Sequence, residues 1–184
     1  MNRNLLISLV DKVVRVDRGG PESRIGKLLH AGDDHFVLLT EKDGMVYYKT
    51  QHIKSITVNS RDGMEFNVED PEDDSYLLPT NFKTVVSNFL HHWVKVNRGG
   101  PEMLEGIMEE VTDDYITVFA KDEIVRLAMY HVRNISLGTS KKAEEEKSEG
   151  NKDNANNDTM NNNNTVNNNN TANNKGRNAR NRKR

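Results

Sequence analysis

The chain has 184 residues, no cysteine, 29% charged residues and a formal net charge of −2. Disulfides, thiolate metal centres and thiol chemistry are excluded, and no apolar stretch is long enough to cross a bilayer as a helix. The small net charge hides an imbalance, with 16 Lys/Arg against 22 Asp/Glu over residues 1–138 and 10 against 6 over residues 139–184. An acidic body with a basic end is poorly suited to gripping nucleic-acid phosphates along its folded surface.

The first predicted element is a short helix. Leu5, Leu6, Leu9 and Val10 form one apolar stripe. The stretch is too short for a secretory leader, and Asp11-Lys12 follows it without a small-residue cleavage site. Val14 and Val16 then alternate with Arg15, as in a strand. Arg18-Gly19-Gly20-Pro21-Glu22 must turn, because glycine permits positive φ and proline rejects both helix interiors and central strands. Further strands are expected at Ile25–Leu29, His35–Leu39, Met45–Tyr48 and Ile53–Val58. They are separated by turns at Asp33-Asp34 and Asp43-Gly44 and by a corner at His52.

The same order then returns. Val14–Glu22 matches Val94–Glu102 at an offset of 80, and His52-Ile53-Lys54-Ser55-Ile56 matches His131-Val132-Arg133-Asn134-Ile135 at 79. One small unit has been duplicated. Its second helix carries Phe82, Val85, Val86, Phe89 and Leu90 on one face, with Thr80 as the expected N-cap. One helix and five short strands in some fifty residues fit a small closed barrel of the SH3-like or Sm-like kind, in which closure removes exposed edges. The expected fold is therefore mainly β. It has two tandem barrels (1–58 and 79–138), each preceded by a short helix, an acidic linker (59–78) and a disordered tail (139–184). In the linker, Met64, Phe66 and Val68 alternate as one further strand would. In the tail, 16 of the 34 residues from Asn151 to Arg184 are asparagine, and such a segment has little to bury against its ordering entropy.

Reactive chemistry is harder to find. No nucleophile stands beside a base in a glycine elbow, and there is no phosphate loop or dinucleotide fingerprint. His52 and His131 occupy matching corners, where a backbone hydrogen bond explains them better than zinc. The expectation is a non-enzyme without cofactor or metal. Its candidate interaction residues are the two turns, Arg18, Gly19, Gly20, Pro21 and Glu22 with Arg98, Gly99, Gly100, Pro101 and Glu102. A competing reading, by analogy of fold, is an Sm-like nucleic-acid-binding module; the acidic body argues against it.

The succession Arg-Gly-Gly-Pro-Glu, a glycine, an acidic turn, Tyr47-Tyr48 and His52-Ile53-Lys54-Ser55-Ile56 resembles the repeating pattern of the spore coat protein B family of endospore-forming bacilli. The resemblance covers residues 1–138. It implies a non-enzymatic structural component of the outer spore coat, made in the mother-cell cytoplasm and deposited on the forespore. Other coat proteins are the expected partners, and the acidic body with its basic, Asn-rich end adds self-association as an expectation from charge and composition. Two features depart from the family's best-known member. There are two copies of the pattern instead of three, and the tail is rich in Asn instead of Ser, Lys and Arg. The second departure weakens the case for assembly driven by phosphorylation and leaves Thr159, Thr165 and Thr171 as candidate acceptors.

Overall fold

The computed structural model of the protein describes residues 1–61, 63–69, 71 and 78–138. The chain opens with helix α1 (Arg3–Ile7), capped by the Asn2 side chain, which accepts from the Asn4 amide at 2.8 Å. Strands β1 (Val13–Val16), β2 (Arg24–Ala31), β3 (His35–Thr40) and β4 (Gly44–Lys49) follow. One 3₁₀ turn, Thr50–His52, leads into β5 (Ile56–Thr57). The second copy repeats the order as α2 (Phe82–Asn88), β6 (Trp93–Val96), β7 (Leu104–Val111), β8 (Tyr115–Ala120) and β9 (Glu123–Ala128). A second 3₁₀ turn, Met129–His131, leads into β10 (Asn134–Leu137).

The duplication holds to the level of register. Val14 pairs with Gly26 and Val94 with Gly106, and a bulge follows Leu28 in one copy and Met108 in the other. Alternation places Val14 and Val16, like Val94 and Val96, in the interior. Asn81, one residue after the expected Thr80, caps α2 by accepting from the Thr84 amide at 2.9 Å. The described part of the linker, including Met64, Phe66 and Val68, contains no strand.

The expectation of two closed barrels requires correction. All ten strands form one open antiparallel sheet in the order β5-β1-β2-β3-β4-β10-β6-β7-β8-β9. Within each copy the last strand returns to the first, but β4 does not close onto β5. Its outer edge is taken by β10, with Tyr48 opposite Asn134 and Tyr47 opposite Ile135. The edge amides that closure would satisfy are satisfied by the neighbouring repeat, which removes the same liability by fusion.

This fusion explains why every residue of β3 is buried. Phe36, Leu38, Val46 and Tyr48 face the first core, with Phe36 stacked on Tyr48 at 5.2 Å between ring centroids. Val37 and Tyr47, pointing the opposite way, belong to the second core, where Tyr47 meets Phe89 edge-on at 5.5 Å. The α2 stripe of Phe82, Val85, Val86 and Phe89 is buried in that core. Its start is docked on the first copy, because the Asp34 carboxylate accepts from the Phe82 amide at 2.7 Å.

Candidate interaction site at the junction of the repeats

The two glycine turns begin alike. Asp17 and Asn97 sit at φ of 50° and 53°, a left-handed conformation that Asp and Asn tolerate better than most residues. The Asp17 carboxylate accepts from the amides of Lys54 at 2.8 Å and Ser55 at 3.3 Å. Asn97 repeats this with the Arg133 amide at 2.8 Å, and its own amide group donates to the His131 carbonyl at 2.9 Å. The residue before each Arg-Gly-Gly thus ties the turn to the corner opening the last strand. This is why the two motifs occur together in each copy.

Beyond that point the turns diverge. Arg18, Gly19, Gly20 and Pro21 are exposed. Arg98 is buried: its Nε donates to Ser136 Oγ at 2.7 Å and its guanidinium pairs with Asp43 of the first copy. Asp43 also holds Arg24 at 2.8 Å. Burial lowers the pKa of Arg98, and the Asp43 charge opposes that shift. Gly99 is packed on the Pro21–Glu22 backbone of the first copy, and Gly100 lies between Glu22 of that copy and Arg133 of its own. Pro101 and Glu102 return to solvent.

Glu22 is the second bridge. It pairs with Lys54 of its own copy at 3.0 Å and with Arg133 of the other. Hydrogen bonds to Lys54 and Arg133 hold its carboxyl below the usual carboxylate range. Around it, the Lys49 amide donates to the Arg133 carbonyl at 2.9 Å, Lys49 Nζ donates to the Met129 carbonyl at 3.2 Å, and His52 Nε2 lies 2.6 Å from the Tyr130 carbonyl. Beside the junction an open groove of about 490 Å³ is lined by Glu22, His52, Pro101, Glu102, Leu127 and Arg133, among others.

The structure therefore brings the two candidate turns together and uses the side chains of Glu22 and Arg98 and the close approach of Gly99 and Gly100, four of the ten candidate residues, to hold the repeats. Sequence reading missed Asp43, Asp34, Lys49 and Asn134 as junction residues. A signal was available: Val37 and Tyr47 stand where the second copy has the polar Thr117 and Arg126, and Arg126 is exposed whereas Tyr47 is buried in the second core. The candidate acceptors Thr159, Thr165 and Thr171 lie outside the described residues.

Among the described residues, no three His, Asp or Glu side chains converge on a metal-sized site, and no helix is long and apolar enough to cross a membrane. No family model and no solved structure matches the chain. A curated protein does. Spore coat protein B of Bacillus subtilis (strain 168) is 36% identical over 148 residues, which cover 79% of this chain and 38% of that protein. The chain is a relative of spore coat protein B. It spans about two fifths of that protein's length.

One buried ring near the junction gives a pH dependence. His35 is fully buried beside the Asp34 carboxylate (3.3 Å), and its Nε2 has no partner. Burial lowers its pKa, the Asp34 hydrogen bond opposing, and burial lowers those of His30 and His52 as well. The folded protein therefore holds these rings neutral where the unfolded chain would protonate them. Their contribution is complete above an unfolded pKa of about 6.5 and is lost as pH falls from there towards the folded values. The urea midpoint should drop between about pH 7.5 and pH 5.5. In His35→Leu that drop should shrink; an unchanged drop would remove His35 from the account. Glu22 acts in a lower window, its contribution fading only as pH falls below about 4.5 through its depressed folded value.

Proposed function

We propose that this protein is a structural component of the bacterial spore coat that acts by contact and not by catalysis. The relationship to spore coat protein B carries the reading. The site chemistry supports it, because the charged groups gathered at the candidate turns are engaged with one another across the repeats and none is poised as a nucleophile or base. In this reading residues 1–58 and 79–138 are the two building units, 59–78 joins them, and the outer layer of the coat is their destination after synthesis in the mother cell. The exposed parts of the turns, Arg18, Gly19, Gly20, Pro21, Pro101 and Glu102, face other coat proteins. The Asn-rich tail with its basic end adds many weak contacts, and linked weak contacts gain from effective concentration. Thr159, Thr165 and Thr171 are its candidate phosphate acceptors.

A fluorescent fusion expressed during sporulation should decorate the spore, and purified spores should yield the protein on extraction. Deleting residues 139–184 should reduce the amount retained while leaving the β body folded. Full retention without the tail would assign assembly to the body alone.

A further inference from the structure

β9 is an outermost strand of the sheet and pairs with β8 alone among the described elements. Its counterpart in the first copy, β4, carries β10 on the equivalent edge, through the Lys49 amide and the Tyr47–Ile135 pairing. Lys49 corresponds to Ala128. The Met129 amide turns inward to the Asp114 carbonyl at 2.8 Å. Alternation along the strand therefore sends the Ala128, Arg126 and Ile124 amides outward to the free edge.

One face of the edge also carries an exposed apolar pair beside the charged Arg126. Ile124 is 62% exposed, and Phe119, its cross-strand partner on β8, is 42% exposed. Exposed edge strands are commonly blunted by charged side chains (lysine above all), proline, a bulge or a covering element. β9 contains no proline or lysine, pairs with β8 in unbroken register and is uncovered by any described residue; its two charges, Glu123 and Arg126, lie on opposite faces.

We infer that this edge is a dimerisation site, at which β9 of a second copy adds antiparallel about a two-fold axis and joins two ten-stranded sheets. The self-complementarity of the strand selects this occupant. The outward amides lie on even-numbered residues, so the central registers place Ile124, Val125 or Arg126 opposite its own copy. Centring on Arg126 opposes two like charges, which is unfavourable. Centring on Val125 sets Ile124 against Arg126. Centring on Ile124 sets Ile124 against itself, flanks it with Phe119 from both copies, and places Asp122 of each copy opposite Arg126 of the other. The last register satisfies both the apolar and the charged groups. A two-fold contact of this kind closes at two copies.

This inference deepens the proposed scaffold role by naming one partner, a second copy of the chain. Sedimentation velocity on the full chain over a concentration series should give a monomer–dimer equilibrium that stops at the dimer. Ile124→Lys and Ile124→Glu should each raise the dimer dissociation constant at least about tenfold, since each puts like charges across the axis. An equimolar mixture of the two should recover the dimer, because Lys then faces Glu. Ile124 is exposed enough that neither variant should disturb the fold, which circular dichroism will verify. A chain monomeric at every concentration, species that keep growing with concentration, a dimer indifferent to Ile124→Lys, or a mixture that stays monomeric would overturn the inference. Decoration of spores by a chain that stays monomeric would remove this inference and leave the coat role; dimers that never reach the spore would do the reverse.

Discussion

Replacing Gly99 with alanine should destabilise the protein by roughly 3 kcal/mol, while the same change at Gly19 should cost about 1 kcal/mol. The two glycines hold the same place in the repeat and the same left-handed backbone, with φ of +81° and +85°. Each substitution therefore carries the strain of an L-residue at positive φ, about 1–2 kcal/mol. At Gly19 the new methyl group meets open space. At Gly99 it would stand 2.1 Å from the Pro21 carbonyl oxygen and 3.0 Å from the Glu22 Cα. Backbone atoms cannot swing aside as a flexible side-chain end can. The repeats must separate locally, and the Glu22–Arg133 pairing lies in the path of that movement. Urea unfolding of both variants beside the parent chain is the test. Equal losses would mean that the turn-to-turn contact contributes little.

That contrast marks where the sequence is legible and where it is not. The repeat, both helices, the strand order within each copy and the turn at Arg-Gly-Gly follow from local signals: apolar periodicity, positive-φ residues and proline. Two copies of one motif carry no local record of which copy buries its version. Arg18 and Arg98 are preceded and followed by nearly the same residues, yet one is exposed and the other enclosed. Their difference comes from β10 lying against β4, a pairing between residues 86 and 88 positions apart that periodicity cannot choose over closure of β4 onto β5. Period-2 alternation describes one buried face, whereas β3 has two, because Val37 serves a different core from Phe36 and Leu38. Asp34 reads correctly as a turn residue, but its bond to the Phe82 amide depends on where the second helix comes to rest. The sequence does hold a trace of the asymmetry, in the outward residues that are Val and Tyr in one copy and Thr and Arg in the other. It becomes interpretable once both copies are aligned strand by strand.

The largest electrostatic effect is expected at Asp43. Its side chain is 16% exposed and accepts from two guanidinium groups, Arg24 of its own copy and Arg98 of the other. Arg98 is the more enclosed of the two, with a side chain 9% exposed against 26% for Arg24. Asp43→Ala leaves that buried cation without its counter-charge, and breaking such a pair from one side costs about 3–5 kcal/mol. Asp43→Asn, which keeps an acceptor oxygen and removes the charge, should fall between the parent and Asp43→Ala. Arg98→Met should cost less than Asp43→Ala, because the Asp43 left behind retains Arg24. Combining Arg98→Met with Asp43→Ala should cost clearly less than the sum of the two, since the second change then strands no buried cation at position 98. The surface control is Arg18→Ala, whose exposed side chain should change stability by no more than about 0.5 kcal/mol. All of these are read from urea midpoints at neutral pH. Additive losses at positions 43 and 98 would show that the two side chains lie near each other without being coupled, and the junction would then rest on the packing of Tyr47 against Phe89 and on the β4–β10 pairing.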